Sequence, residues 1–168
     1  MLKVRNLEES DLKSLSDFII EIYKEYPNAM WFDSEPTKEM LSRLFSLKLA
    51  GMQESNVIDM VAVEDSKSHV SILGEVEVAR VAGPAGYIGI IIGKGHRRKG
   101  LGAMLMGKAY NEAIALGITE LKAEVAKENI PAQHFFIKEQ FKLFKVDDAE
   151  LNKKTNKKKM LLFEKSLR

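Results

Sequence analysis

Basic residues and glycines are concentrated between the most strand-like segment of this sequence and a segment with helical periodicity. The stretch begins with Ile90, Ile91 and Ile92 and continues, after a short gap, with Arg97, Arg98, Lys99, Gly100, Leu101, Gly102 and Ala103. The N–H groups at the beginning of a helix lack helical partners and carry a partial positive charge, so they attract anions. Glycine lets the backbone approach a ligand closely, and the basic side chains add charge. The pattern predicts a phosphate or pyrophosphate site at a helix N-terminus.

Two common phosphate-binding patterns do not match this stretch. A P-loop requires Lys-Ser or Lys-Thr after its second glycine, whereas Gly100 is followed by Leu101. The dinucleotide-binding fingerprint needs a different glycine spacing and an acidic residue for the ribose, and the sequence offers neither at the expected place. A plain strand–helix loop with a solvated basic surface is the alternative to an anion site.

The composition predicts a globular protein with a single domain, residues 1–168. The 168 residues are 45% hydrophobic and 30% charged, and the formal net charge is only +2. This balance argues against a dedicated nucleic-acid-binding protein. No apolar run reaches the roughly 18 residues of a membrane span, and the N-terminal segment lacks the apolar centre of a signal peptide. We therefore expect a cytoplasmic protein that binds neither nucleic acid nor membrane.

The composition also restricts the chemistry. The chain has no cysteine, which excludes disulfides, thiolate metal ligands and a cysteine nucleophile. The histidines His69, His96 and His134 lie far apart in sequence and lack the spacing of zinc ligands. We therefore expect no metal.

Apolar periodicity and turn residues predict the order of helices and strands. The predicted strands are Lys3–Leu7, Asn56–Glu64, Val70–Val81, Tyr87–Ile92, Ile118–Val125, Phe141–Val146 and Lys158–Leu167. The predicted helices are one capped by Ser10 and ended by Pro27, one from Pro36 to Gly51, Lys99–Leu116 and Pro131–Glu139. The order β-α-α-β-β-β-α-β-α-β-β indicates a mixed α/β fold with an antiparallel meander and one strand–helix–strand crossover.

The segment Arg97–Gly102 is similar to the Arg/Gln-x-x-Gly-x-Gly/Ala signature of the GNAT superfamily of N-acetyltransferases. In that family an apolar strand, a short turn, the signature and a long helix follow one another, and this chain has the same layout. The resemblance continues after the next strand in Val125, Asn129, Ala132 and Phe135, and it covers nearly the whole chain. It implies the GNAT fold, α/β of the mixed α+β kind, in which helices flank a twisted and mostly antiparallel sheet.

The resemblance also implies that acetyl-CoA is the cosubstrate. In GNAT proteins the backbone amides of the signature loop hold the pyrophosphate, which assigns this role to Arg97–Gly102, with Ala103 following. The preceding strand splays from the next one and offers its backbone to the pantetheine arm, which assigns Ile90–Ile92. Asn129 would cap a helix and touch the pantetheine, and Phe136 occupies the family position beside the departing thiolate.

Transfer of an acetyl group to an amine needs a neutral amine, a polarised thioester carbonyl and a leaving thiolate. Backbone N–H groups near Ile92 would polarise the carbonyl. Glu124 is the candidate base, because some GNAT enzymes have a catalytic Glu five residues before the asparagine that Asn129 matches. On spacing alone, Glu124 is also an ordinary polar residue of a half-exposed strand. Glu75 and Glu77 are the rival acids, which could equally bind a cationic substrate or face solvent.

Phe136 departs from the family pattern. GNAT enzymes commonly have a tyrosine at this position, which protonates the departing thiolate, and phenylalanine cannot donate a proton. A thiol has a pKa near 8.5, so thiolate is a tolerable leaving group, and a positioned acid contributes about 10²–10⁴-fold to the rate. We expect slower chemistry rather than none, with water, Tyr87, Tyr110 or His134 as the substitute for the tyrosine.

The acceptor is predicted to enter between the first two helices and the sheet, as it usually does in GNAT proteins. Trp31 and Phe32 lie in that connection and suit an amine with an apolar body, although they could simply pin the loop to the core. The sequence is thus interpreted as an N-acetyltransferase, monomeric or homodimeric, with a small-molecule or protein amine as substrate. Two alternatives stay open: a non-catalytic acyl-CoA-binding or sensor module on the same fold, and a nucleic-acid-binding domain.

Overall fold

The computed structural model describes residues 1–27, 32, 34–66, 69–147 and 159–168. The strands are β1 (Leu2–Asn6), β2 (Val57–Asp65), β3 (Val70–Ala82), β4 (Ala85–Ile92), β5 (Glu120–Ala126), β6 (Lys142–Asp147) and β7 (Met160–Ser166). The helices are α1 (Leu12–Glu25), α2 (Lys38–Gln53), α3 (Leu101–Ala115) and α4 (Ile130–Lys138). The predicted order of helices and strands is confirmed, and their ends differ from the prediction by a few residues.

The strands of the described residues form one sheet in the order β1-β2-β3-β4-β5-β7-β6. Neighbouring strands are antiparallel except β4 and β5, which run parallel and are connected through α3. Parallel neighbours need such a crossover, because a tight hairpin can join only antiparallel strands. The predicted fold class, mixed α/β with a mostly antiparallel sheet, is confirmed.

Helices cover both faces of this sheet. α1 and α2 pack on one face, where Val61 and Val63 of β2 are buried in the same apolar cluster as the helices. α3 and α4 pack on the other face, where Met60 and Ala62 are buried in a second cluster. Successive residues of β2 thus enter opposite clusters, as the two-residue period of a strand requires. None of the described helices combines the length and the apolar composition needed to cross a membrane.

The beginning of α1 differs from the prediction. Ser10 does not cap the helix: it lies in a 3₁₀ turn, Glu9–Asp11, and α1 begins at Leu12. The carboxylate of Asp11 instead accepts a hydrogen bond of 2.8 Å from the backbone N–H of Glu8. A carboxylate binds a free N–H group more strongly than a hydroxyl does, so Asp11 organises this turn.

Arg5 of β1 holds Asp11 through a two-pronged ion pair. Its Nη1 donates to Oδ2 of Asp11 at 2.6 Å and its Nη2 donates to Oδ1 at 2.8 Å. Burial alone would raise the pKa of Asp11, but the hydrogen bonds from Arg5 and from the backbone of Glu8 outweigh it and lower the pKa below its usual value. The ion pair therefore fastens the edge strand β1 to the beginning of α1.

The substitution Asp11→Asn is expected to lower the free energy of unfolding at neutral pH by about 1.5–3 kcal/mol, because the charged hydrogen bonds to Arg5 are lost. The pKa of Asp11 is lower in the folded state than in the unfolded chain, so this stabilisation is complete above the unfolded pKa, near 3.9. It disappears as the pH falls through the folded pKa. Urea unfolding of both proteins between neutral pH and about pH 2 should show a difference that shrinks only in acid. A difference that is the same at every pH would contradict this account of the pair.

Candidate functional site

The parallel strands β4 and β5 pair only at one end. Ala85–Tyr87 of β4 lies beside Glu120–Lys122 of β5, and the register stops there. Beyond that point β4 is paired with β3 alone, as far as Ile92, and β5 is paired with β7 alone, as far as Ala126. The backbones of β4 and β5 therefore separate toward the end of β4, as the resemblance implies, and each turns one backbone edge toward the gap.

The N-terminus of α3 is open. Gly100 precedes the helix with φ +84°, in the left-handed region that favours glycine. The first hydrogen bond of the helix joins the N–H of Met104 to the carbonyl of Gly100 at 3.1 Å. The N–H groups of Leu101, Gly102 and Ala103 consequently have no partner within the helix. Such a group of free amides, with the positive end of the helix dipole behind it, can bind a phosphate.

Gly102 fits this helix for a different reason. A Cβ atom at Gly102 would lie 2.8 Å from Cε2 of Phe135, a distance that real Cβ atoms do not tolerate. Phe135 belongs to α4, so the missing side chain lets α4 pack against the first turn of α3. The two glycines of the signature therefore meet separate demands, one of backbone conformation and one of helix packing.

The basic side chains of the signature make different contacts. The Nε of Arg97 donates to the carbonyl of Ile92 at 2.8 Å, and its guanidinium lies 4.8 Å from the centre of the Tyr26 ring. Its Nη2 lies 3.7 Å from Oε2 of Glu25, a buried oxygen without a hydrogen bond. Arg97 thus ties the loop to the end of β4 and to the C-terminus of α1. Arg98, with φ +59°, is exposed, so its positive charge faces solvent beside the loop.

Lys99 closes the loop onto itself, since its Nζ donates to the carbonyl of Gly95 at 2.6 Å. The three isoleucines predicted to line the cosubstrate site, at the end of β4, alternate between the two faces of the sheet. Ile90 and Ile92 pack against the α3 cluster, whereas Ile91 packs against the α1–α2 cluster. Their backbone, rather than their side chains, lines the split.

Asn129 and Phe136 belong to α4 and its cap. The side chain of Asn129 accepts a hydrogen bond of 3.2 Å from the N–H of Ala132, so its predicted capping role is confirmed. Phe136 is 4% exposed and packs edge-on against Phe135 and Phe141, with ring centres 5.6 Å and 5.0 Å apart. The phenylalanine at the family's tyrosine position is therefore part of the core.

Glu124 lies on the face of the sheet that α1 and α2 share. Leu121, Ala123 and Val125 are buried on the α3–α4 side, so the alternation of the strand sends Glu124 to the opposite side, where it is exposed. Tyr87 of β4 lies next to Lys122 in the parallel register and points to the same side as Glu124. Of the predicted proton donors, Tyr87 is the one that shares a face with Glu124.

Tyr110 and His134 lie elsewhere. The hydroxyl of Tyr110 donates to Oε2 of Glu139 at 3.1 Å. Burial and the negative charge of Glu139 raise the pKa of Tyr110, which makes it a poorer acid. Tyr110 belongs to α3, on the sheet face opposite Glu124, and His134 is exposed on α4. Neither residue is brought to the face of the candidate base.

A cavity of about 200 Å³ lies between α1, α2 and strands β3 and β4. Its walls are mostly apolar side chains, among them Leu15, Ile19, Phe32, Leu41, Leu44 and Phe45. Its polar residues are Ser16, Lys48, Glu75 and Glu77. Ile91, from the part of β4 that has separated from β5, also lines it. The cavity is where the acceptor is predicted to enter, and Phe32 lines it. Trp31 lies outside the described residues.

One ammonium group holds three carboxylates beside this cavity. The Nζ of Lys48 donates to Oδ2 of Asp59 at 2.6 Å, to Oε1 of Glu75 at 2.8 Å and to Oε2 of Glu77. Burial alone would lower the pKa of Lys48, but the three carboxylates raise it above its usual value. Burial and the charge of Glu75 raise the pKa of Asp59, whose Oδ1 is buried without a hydrogen bond.

The sequence interpretation missed Lys48 and Asp59. Lys48 follows Leu41, Leu44 and Phe45 at helical steps of three and four, so it occupies a position where the pattern demands an apolar residue. Asp59 interrupts the otherwise apolar run from Val57 to Val63. A charged residue at each of two core positions, one on a helix and one on a strand, was the available signal for a buried ion pair.

The model described as the acetyltransferase (GNAT) family matches residues 16–140. No curated protein matches the sequence. A structure of a GNAT-family acetyltransferase from Streptococcus pneumoniae is 23% identical, with a TM-score of 0.77 and coverage of 99% of this chain and 99% of that one.

Two further structures have the same fold at lower identity. A Salmonella typhimurium protein solved with its cofactor acetyl-CoA is 14% identical, with a TM-score of 0.78 and coverage of 99% of this chain and 94% of that one. The ribosomal-protein-S5-alanine acetyltransferase of Vibrio fischeri is 17% identical, with a TM-score of 0.80 and coverage of 98% of this chain and 92% of that one. At these identities the structures show a shared fold.

The substitution Gly102→Ala is expected to lower the free energy of unfolding by about 1–3 kcal/mol, because the new methyl group meets the Phe135 ring. Gly107→Ala on the same helix is the matched control, since its Cβ would meet nothing within 4 Å. That control should gain about 0.5–1 kcal/mol from helix propensity. Urea unfolding measures both values, and a stabilising Gly102→Ala would show that α4 does not press on α3 at this point.

Proposed function

Since this chain belongs to the acetyltransferase (GNAT) family, we propose that it is an N-acetyltransferase that transfers an acetyl group from acetyl-CoA to a primary amine. The amine belongs to a small molecule or to a protein. The separation of β4 from β5 next to the open N-terminus of α3 is the observation that carries this proposal.

The residues present fit acetyl-CoA. Its pyrophosphate needs several N–H donors and positive charge, which the free amides of Leu101, Gly102 and Ala103 and the exposed Arg98 offer. Its pantetheine arm carries amides, which need backbone partners, and the unpaired edges of β4 and β5 supply them. Arg97 keeps these two places adjacent, because it bonds the loop to the last residue of β4.

The reaction we propose is direct attack on the thioester. The amine nitrogen forms a bond to the carbonyl carbon, the C–S bond breaks, and sulfur leaves with the electron pair. The amine loses a proton to a base, and the thiolate takes one up from solvent or from an acid. An acyl-cysteine is impossible, since the chain has no cysteine.

We assign the base role to Glu124. It is exposed on the sheet face that bears α1 and α2, where the acceptor cavity lies. It belongs to the part of β5 that has separated from β4. Tyr87 is the candidate acid, because it shares this face and lies at the point where the strands separate. Glu75 and Glu77 are bound to Lys48 and are therefore assigned to the substrate rather than to proton transfer.

The substitution Gly102→Glu is expected to weaken acetyl-CoA binding about 100-fold or more, because it adds a negative charge to the first turn of α3, beside the free amides. Isothermal titration calorimetry with acetyl-CoA and with CoA measures this change directly. Gly107→Glu adds the same charge to the same helix at a position with open space around it, and it should bind normally.

Gly102→Ala separates the steric effect from the charge. If the alanine variant binds acetyl-CoA nearly as well as wild type while the glutamate variant does not, the loss is electrostatic. Saturable acetyl-CoA binding by the Gly102→Glu variant would show that the amides at the N-terminus of α3 do not bind the pyrophosphate. Absence of binding to folded wild type would remove acetyl-CoA from the proposed function altogether.

The substitution Glu124→Gln is expected to lower kcat about 100-fold with little change in acetyl-CoA affinity, because the amine loses its proton acceptor. The acidic limb of the kcat/KM pH profile should also shift, because the variant depends on amine that is already deprotonated in solution. The matched control is Glu120→Gln, on the same strand and the same face but at the paired end of β5, and it should retain the wild-type rate.

CoA release against a panel of amines separates catalysis from binding alone. Turnover of at least one amine supports the transferase. Binding of acetyl-CoA without turnover of any amine would favour the non-catalytic acyl-CoA module, for which the buried Phe136 in place of a tyrosine is the motivating observation.

A further inference from the structure

The polar floor of the acceptor cavity carries more negative than positive charge. Asp59, Glu75 and Glu77 surround Lys48, and among the described residues Lys48 is the cation with which these three carboxylates pair. Even with Asp59 neutral, Glu75 and Glu77 leave one negative charge beyond that of Lys48. Uncompensated charge in an apolar cavity is costly, unless something that binds there supplies the opposite charge.

The register of the sheet concentrates this charge. Asp59 of β2 lies directly opposite Glu77 of β3, and Val61 lies opposite Glu75. Like charges in directly opposed positions destabilise a sheet. Lys48 relieves the repulsion only in part, since Oδ1 of Asp59 is fully buried and has no hydrogen-bond partner. The cluster is therefore under-neutralised by its own residues.

Glu77 is the member of the cluster that a ligand can reach. Its side chain is 35% exposed, whereas those of Glu75 and Asp59 are 5% and 0% exposed. Lys48 does not itself serve as the acetyl acceptor, because the surrounding carboxylates keep its amine protonated and a protonated amine is not a nucleophile. The carboxylate of Glu77 can thus bind an external cation in the cavity. The amine of Lys48 does not compete with that ligand as a nucleophile.

The volume and walls limit the size and shape of that cation. A cavity of about 200 Å³ is smaller than the roughly 300–1,000 Å³ of sites for drug-sized ligands, so it suits a short molecule. Its walls from α1 and α2 are apolar except for Ser16 and Lys48, which matches a chain of methylene groups rather than a polar body. Ile91 borders both the cavity and the unpaired part of β4, so a molecule in the cavity reaches toward the predicted thioester.

We propose that the acceptor is a small aliphatic diamine or polyamine, whose second, non-reacting ammonium group binds Glu77 while its methylene chain lies against α1 and α2. This inference rests on the proposed function for the reaction at the first amine. The binding of the second ammonium is independent of that reaction, and it is what distinguishes a dication from a simple amine.

The test compares two ligands of equal chain length. 1,4-Diaminobutane and butylamine are titrated calorimetrically into the full-length protein, with and without saturating CoA. We expect wild type to bind the diamine at least 10-fold more tightly than butylamine. Glu77→Gln should reduce this preference to about 2-fold or less, and Lys48 keeps Asp59 and Glu75 as partners in that variant, so it should fold.

Glu64→Gln is the matched control, because Glu64 is an exposed glutamate of β2 outside the cavity, and it should keep the full preference. Equal affinity for the two ligands in wild type, no diamine binding, or a preference that survives in Glu77→Gln would each overturn the inference. A diamine preference without acetyl-CoA binding or turnover would support the dication site and reject the proposed transferase, so the two failures are distinguishable.

Discussion

The pairing of β4 with β3, which continues to Ile92 after the pairing with β5 has ended at Tyr87, is the constraint on which the rest of the site depends. β4 is paired with β3 from Ala85 to Ile92. The end of β4 therefore keeps its position although the edge that faces β5 is free there. The same strand β3 carries Glu75 and Glu77 into the acceptor cavity. One strand therefore fixes both the gap for the cosubstrate and the charge for the acceptor. A change in the β3–β4 register would move the two places together.

Lys48 illustrates a balance between stability and binding. A buried ion cluster contributes little net stability, because desolvation offsets most of the attraction between its charges. Apolar residues of similar size would fill the space between α2 and β3 with less cost. The cluster instead gives an apolar cavity a defined sign of potential, which discriminates between ligands of opposite charge and of no charge. The cluster therefore contributes to the choice of ligand more than to the stability of the fold.

Local patterns were sufficient to predict the fold but only part of the site. The apolar periods of α1–α3 and the β-branched runs fix the type and order of the elements, and the signature locates the α3 N-terminus. Ser10 was the wrong cap because Asp11 closes the turn: its carboxylate accepts from the N–H of Glu8 and pairs with Arg5 of β1, a contact between elements that the helical period does not show. The Lys48 cluster was not predicted for the same reason. It joins α2, β2 and β3, and the register that brings its residues together is set by strand pairing rather than by local sequence. The exposure of Glu124 followed from simple alternation, whereas its role in the reaction needs chemistry to decide.

The contacts of Arg97 change how the signature itself should be understood. Its guanidinium is shared between the carbonyl of Ile92, the ring of Tyr26 and the carboxylate of Glu25, so it is occupied before any ligand arrives. The first position of the motif thus acts as a tie to α1. Its flat guanidinium lies over the Tyr26 ring while its Nε donates to the carbonyl of Ile92, a combination that the compact ammonium of lysine does not reproduce. The conformation of the motif consequently depends on α1 as well as on its own six residues. Transplanted without the C-terminus of α1, the same six residues would lose the support that holds their loop against β4.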